Sequence, residues 1–66
     1  MWKEKVYKGP TIRKNAAIGA GANLLAGIEI GEDAVVGMGS VVITDVPPRR
    51  VFVGVPAHDA GEVRGE

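Results

Sequence analysis

The chain has 66 residues, with eight Lys and Arg against eight Asp and Glu, and no cysteine. That length holds one domain at most, spanning 1–66, and chains this short are marginal without a staple or a partner. Without cysteine there is no disulfide and no thiolate metal site, and no apolar run approaches the roughly 18 residues that span a bilayer.

The balanced charge is unevenly placed. Residues 1–14 carry Lys3, Lys5, Lys8, Arg13 and Lys14 against Glu4 alone, whereas residues 15–48 carry Glu29, Glu32, Asp33 and Asp45 and no base. A basic end attracts phosphate or nucleic acid, but aromatic interleaving is minimal and no nucleic-acid motif occurs. Solvated strand edges are the expected role, with no nucleic-acid and no membrane partner. No secretory signal precedes the first repeat, so a cytoplasmic protein is expected.

In chain order, residues 1–5 read as a leading strand, since WKEKVY alternates polar and apolar. From there every sixth residue is a branched aliphatic: Val6, Ile12, Ile18, Leu24, Ile30, Val36 and Val42. Three residues after each comes Gly9, Asn15, Gly21, Gly27, Asp33, Gly39 or Asp45, the types that tolerate a left-handed backbone. One further on is a mostly small column of Pro10, Ala16, Ala22, Ile28, Ala34, Ser40 and Val46. Each unit thus supplies an inward aliphatic, a left-handed corner and a compact residue, which predicts a coiling solenoid of short strands over residues 6–47. A helix needs apolar spacing of three and four, which the chain does not sustain, and its ten glycines disfavour helix interiors. A small Gly-rich antiparallel sandwich is the competing fold, but it gives no reason for a period of six.

Pro47-Pro48 ends the regular pattern, because proline supplies no ladder donor. Residues 48–66 then read as an exit loop with Arg49 and Arg50, a short returning strand Val51-Phe52-Val53, a turn over Gly54-Val55-Pro56-Ala57, and a polar tail. Gly61 and Gly65 speak against a helix in that tail. With three units per turn, Val6–Leu24–Val42, Ile12–Ile30 and Ile18–Val36 stack inside. Tyr7, Leu25 and Ile43 then form an outward apolar stripe, widened by Val41. An aligned stripe of this kind reads as a contact surface. The expected partner is the chain itself, as a homotrimer or a dimer of trimers.

The stretch IGAGANLLAGIEIGEDAVVGMGSVVITDVPPRRVFVGVPAH resembles the C-terminal coils and exit of hexapeptide-repeat acyltransferases. Residues 18–42 follow the family's hexad, and GMGSVV followed by DVPP and GVPA is similar to its usual exit from the coil. The resemblance implies an all-β fold, a short left-handed parallel β-helix of about two and a third coils plus the C-terminal returning strand. It also implies acetyl transfer from acetyl-coenzyme A to a hydroxyl or amine, with a histidine general base. In the family that histidine lies upstream of the segment seen here. The one histidine of this chain, His58, follows GVPA, where the family commonly has Lys or Arg, so no catalytic residue is assigned. The expected function is therefore a truncated or minimal acetyltransferase-like coil domain that retains acetyl-coenzyme A binding and lacks a complete catalytic site. A complete O- or N-acetyltransferase working with a missing or separate segment and a structural trimerisation module are the alternative readings.

Carried over by motif match, the coenzyme-facing positions are Ala20 in IGAGAN, Met38 and Ser40 in GMGS, Ile43 and Thr44 in VVITDV, and His58. The chain departs from the family at Ile43-Thr44, where Thr-Lys is common, and at Met38, where Ala is usual. Arg49, Arg50 or Arg64 are candidates to compensate the lost cation. No metal is expected. The related γ-class carbonic anhydrases need three histidines for zinc, and Glu32-Asp33 falls at a corner, where turn chemistry accounts for it.

Overall fold

The structure, a computed structural model, describes residues 9–63; the leading strand with Trp2, together with Val6, Tyr7 and Arg64, lies outside the described residues. Six two-residue strands follow one another: β1 (Thr11–Ile12), β2 (Ala17–Ile18), β3 (Asn23–Leu24), β4 (Glu29–Ile30), β5 (Val35–Val36) and β6 (Val41–Val42). Two longer strands close the chain, β7 (Arg50–Gly54) and β8 (Ala57–Glu62).

Parallel pairing sets Ile12 on Ile30, Ile18 on Val36 and Leu24 on Val42. These three pairs are three faces of a coil, and each strand end leads into a corner. The first corner holds residues 13–16, 31–34 and 47–50. The second holds 19–22 and 37–40, with the hairpin turn 54–57 above them. The third holds 25–28 and 43–45.

The corners explain the Gly/Asn/Asp column. Backbone bonds from Ala16 to Arg13, Ala22 to Gly19, Ala34 to Gly31 and Ser40 to Gly37 close four-residue turns at 3.2–3.3 Å. Their third residues, Asn15, Gly21, Asp33 and Gly39, have φ of 61°, 74°, 60° and 69°. A positive φ at that position is the mark of a type II turn. Gly27, at 84°, does the same at the third corner. Corners also stack on one another, with Asp33 N–H donating to the Lys14 carbonyl and Gly39 N–H to that of Ala20.

One member of the column departs. Asp45 is not left-handed. Its carboxylate instead accepts the Glu29 N–H at 2.9 Å, while Val46 N–H donates to the Glu29 carbonyl. The corner is thereby cut short, and the register above it contracts. Ile30 bridges Val46 and Val36 pairs with Phe52, sixteen residues on instead of eighteen. Val46 therefore occupies an inward-aliphatic place, and β7 stacks in parallel on β5 as a third layer. The left-handed place of that layer falls to Arg49, φ 61°, whose N–H donates to the Glu32 carbonyl above Asp33.

The polar tail carries β8, antiparallel to β7, with Gly54 opposite Ala57 and a register shift between Val51 and Phe52. Ala57 points into the core and His58 outward. Arg50 and Asp59 form an ion pair at 2.9 Å near the open end of the hairpin. The Arg50 guanidinium and then the Gly61 N–H hold the Asp59 carboxyl below its ordinary value.

The core comprises Ile28, Ile30, Ala34, Val36, Val42, Val46, Phe52 and Ala57. It deepens along the chain. Ile12 is 49% exposed, Ile18 and Leu24 are half-buried, and Ile30 is fully enclosed. Each layer covers the cross-section of its neighbour, and full burial of such a side chain is worth about 1.5–3 kcal/mol. Among the described residues nothing lies beneath the first layer, so its aliphatics are only partly covered.

Candidate functional site

The second corner differs from the first in chemistry while sharing its turn. It stacks Gly19-Ala20-Gly21 on Gly37-Met38-Gly39, joined by the Gly39 to Ala20 backbone bond at 3.0 Å. Met38 is 78% exposed and Val55, in the turn above, 71%. The Val53 side chain lies over Gly37, where an added Cβ would meet Val53 Cγ1 at 2.6 Å. At Gly19 the neighbour is backbone, since a Cβ there would sit 2.6 Å from the Met38 nitrogen. Gly19 is required by contact with backbone, whereas Gly37 leaves room for the Val53 side chain.

Of the six positions inferred from sequence, Ala20 and Met38 share this corner, and His58 stands near it on β8, opposite Val53. His58 is exposed. Ser40 lies beneath the corner with its side chain buried, and its Oγ accepts the Gly54 N–H at 3.1 Å. Its hydroxyl is therefore turned away from the surface. Ile43 and Thr44 are exposed at the third corner, across the β3–β6 face. Among the described residues no strand covers β6, so its free edge runs between the two groups.

Of the cations weighed as compensators, the two among the described residues, Arg49 and Arg50, stand elsewhere. Arg50 is committed to Asp59, whose oxygens accept from its Nε and Nη2. Arg49 is at the first corner. That corner is charged, with Arg13 Nε donating to Glu29 Oε2 at 2.6 Å. Beside the pair lies an open groove of about 450 Å³, lined by Arg13, Glu29, Glu32, Asp45, Pro47 and Pro48 among others. No set of three His, Asp or Glu side chains among the described residues is grouped to hold a metal. Sequence reasoning missed Val53 and Val55 as surface contributors to the second corner. The signal was present in Val51-Phe52-Val53, where an inward Phe52 forces its neighbours outward.

The residues of the second corner fit a long polyanionic thioester. They offer small residues and turn backbone for close approach, apolar cover from Met38 and Val53, and one imidazole. Neither residues 19–22 nor residues 37–40 include a carboxylate to repel phosphate.

The bacterial transferase hexapeptide family (six repeats) matches residues 9–44. The chain belongs to this family. Its coil is accordingly a left-handed parallel β-helix. The chain is 54% identical over 48 residues to the serine acetyltransferase of Buchnera aphidicola from Schizaphis graminum, covering 73% of this chain and 18% of that protein. The crystal structure of serine acetyltransferase from Vibrio cholerae superposes with a TM-score of 0.88 at 45% identity, over 98% of this chain and 25% of that one. Serine acetyltransferase from Brucella abortus, solved in complex with coenzyme A, superposes at 0.82 and 40% identity, over 86% and 23%. The chain thus spans 18% to 25% of the length of these three relatives. It is acetyltransferase-like in its coils. No helix among the described residues is long and apolar enough to cross a membrane.

Proposed function

We propose that these coils form the coenzyme-holding end of a cytoplasmic acetyl-coenzyme A-dependent acetyltransferase, assembled as a homotrimer or a dimer of trimers. The acceptor by this reading is a small hydroxy amino acid of the serine type, after the relatives. The observation that carries the proposal is the uncharged, exposed second corner, where Ala20 and Met38 stack on turn backbone and His58 stands on the outer strand opposite Val53. Bound acetyl-coenzyme A would supply the acetyl group as an activated thioester. Ala20 and Gly21 let the pantetheine amides approach backbone groups. Met38 and Val53 exclude water from the arm, and the His58 imidazole offers a hydrogen bond to a phosphate. Ile43 and Thr44 extend the same surface across the free edge of β6.

A hydroxyl acceptor must lose its proton as the new bond forms. His58 is the only histidine and stands on the outer strand. The general base is therefore assigned to residues outside this sequence, and the 66-residue chain is not self-sufficient for catalysis. Isothermal titration with acetyl-coenzyme A tests the reading. Micromolar binding is expected, and no heat up to about 1 mM, a threshold near −4 kcal/mol, rejects it. Turnover on serine above about one per second, within the usual enzyme range, would instead show that the base is already present.

A structural trimerisation module is the second reading, favoured by Leu25 and Ile43, which are 53% and 50% exposed. A stable trimer without coenzyme binding would select it.

A further inference from the structure

In the two layers before the contraction the compact column after each corner is apolar at Ala16, Ala22, Ile28 and Ala34, and only at Ser40 does it carry a polar side chain. Ser40 is 1% exposed and is the one buried polar side chain among the described residues. A hydroxyl costs free energy to bury unless it is hydrogen-bonded. Its Oγ accepts the Gly54 N–H, fourteen residues along the chain. That bond ties the second layer of the coil to the far end of the β7–β8 hairpin.

The rest of the hairpin is held by other means. Val51 and Phe52 pair with β5, Phe52 and Ala57 are in the core, and Arg50 with Asp59 secures the open end. At the closed end, Val53, Val55 and His58 project outward, and Gly54 has φ of 108°. Gly37 leaves the room in which Val53 settles, and a Cβ there would also stand 3.5 Å from Ser40 Oγ. Ser40 thus sits beneath the upper wall of the second corner without reaching its surface.

We infer that Ser40 is a positioning residue: it fixes the Gly54–Ala57 turn against the Met38 corner and so sets the wall that faces the coenzyme. The inference rests on the coenzyme reading above. It moves Ser40 from ligand contact to a role exerted through Gly54.

Ser40→Ala and Ser40→Thr in the full chain test it, with Arg50→Ala as a control on the open end. Three quantities are read: amide exchange at Gly54 and at Val36 by NMR, oligomeric state by sedimentation, and acetyl-coenzyme A affinity by calorimetry. In Ser40→Ala, Gly54 exchange should rise about tenfold, as for one lost hydrogen bond, with Val36 unchanged. Acetyl-coenzyme A should bind roughly fivefold or more weakly, since the wall must be ordered at the moment of binding. Ser40→Thr should restore both, and Arg50→Ala should leave affinity unchanged. Unchanged Gly54 exchange in Ser40→Ala overturns the inference, as does faster exchange with unaltered affinity. Uniform loss of protection, Val36 included, would make Ser40 an ordinary core residue and also overturns it. Failure of the coenzyme reading is separately visible, because the unsubstituted chain would then give no heat while the exchange result still decides whether Ser40 holds the turn.

Discussion

The first and second corners are built on one backbone plan and carry opposite surfaces. Both close through a bond between the first and fourth residues of the turn, and both place a left-handed residue third. The first spends its exposed positions on Arg13, Lys14, Glu32 and Arg49. The second spends them on Ala20, Gly21, Met38 and Val55. The turn fixes only the left-handed residue and the close contacts, so the remaining positions are free to record what each edge meets. A charged edge is at ease in water. An uncharged edge with Met38 and Val55 protruding is better explained by a ligand or a neighbouring copy.

The largest expected effect separates surfaces that meet a partner from those that do not. Leu25→Asp at the third corner should dissociate the proposed trimer to monomers at micromolar concentration, because it would place an unpaired charge in the proposed contact. Glu32→Lys at the first corner should leave the association unchanged. Sedimentation equilibrium checks both, and a Leu25→Asp chain that stays associated with equal stability assigns the interface to another face.

Next come the glycines that corners need for contact rather than conformation. In Gly31→Ala, at the first corner, the new Cβ would stand 2.5 Å from the Pro48 nitrogen. Overpacking against backbone should cost about 3 kcal/mol, near the upper end of the usual range. Gly19→Ala should behave alike at the second corner, so the two corners should be indistinguishable here. A melting temperature unchanged by either would refute the close stacking of these turns.

Gly27→Val tests conformation alone, because nothing lies within 4 Å of its Cβ direction. With φ at 84°, the strain should cost on the order of 2 kcal/mol. Asp33→Asn at the first corner should be mild, since Asn tolerates the same backbone. Denaturant midpoints measured side by side decide this pair. Arg49→Asn runs the other way. It should stabilise by roughly 0.5–1 kcal/mol, because the left-handed place then holds a residue suited to it.

The smallest effect is a pH dependence at the Arg50–Asp59 pair. The hydrogen bond from Arg50 holds the Asp59 carboxyl below its ordinary value of 3.8. Its contribution is therefore complete above that value and is lost as pH falls through the lower folded-state value. The difference in melting temperature between the chain and Asp59→Asn should be flat above about pH 5 and vanish on acidification below 3.8. Both groups are well exposed, so the difference should be small. A difference that grows on acidification would contradict the pair's assigned sign.

The coil was legible because each unit repeats one physical problem, and the sequence answers it the same way each time. Ile12 to Val42 and the residues Asn15 to Gly39 stand where the period of six puts them. The contraction at Asp45 was hidden, since Asp suits a left-handed turn as well as it suits accepting an N–H from Glu29. Only the bond it makes separates the two, and that bond depends on a neighbouring layer. Val46 and Arg49 were misjudged as a consequence. The strand β8 gave no pattern of its own because it has one buried partner side, and Ala57 alone marks it. At the site, motif match placed Ala20, Met38 and His58 near one corner. It could not tell that Ser40 faces inward, because a small residue in the column fits either orientation.

The shortened corner at Asp45 has a consequence for how such particles can join. A uniform coil offers the same perimeter at both ends, and one molecule could add to the next like beads into a fibre. Here the terminal layer is two residues smaller in circumference. Pro47 and Pro48 present no N–H on one side, and β8 runs opposite to the strands beneath it on another. An incoming coil would meet a template of the wrong length, short of donors and partly reversed. Among the described residues the C-terminal layer is thus a poor template for end-to-end growth.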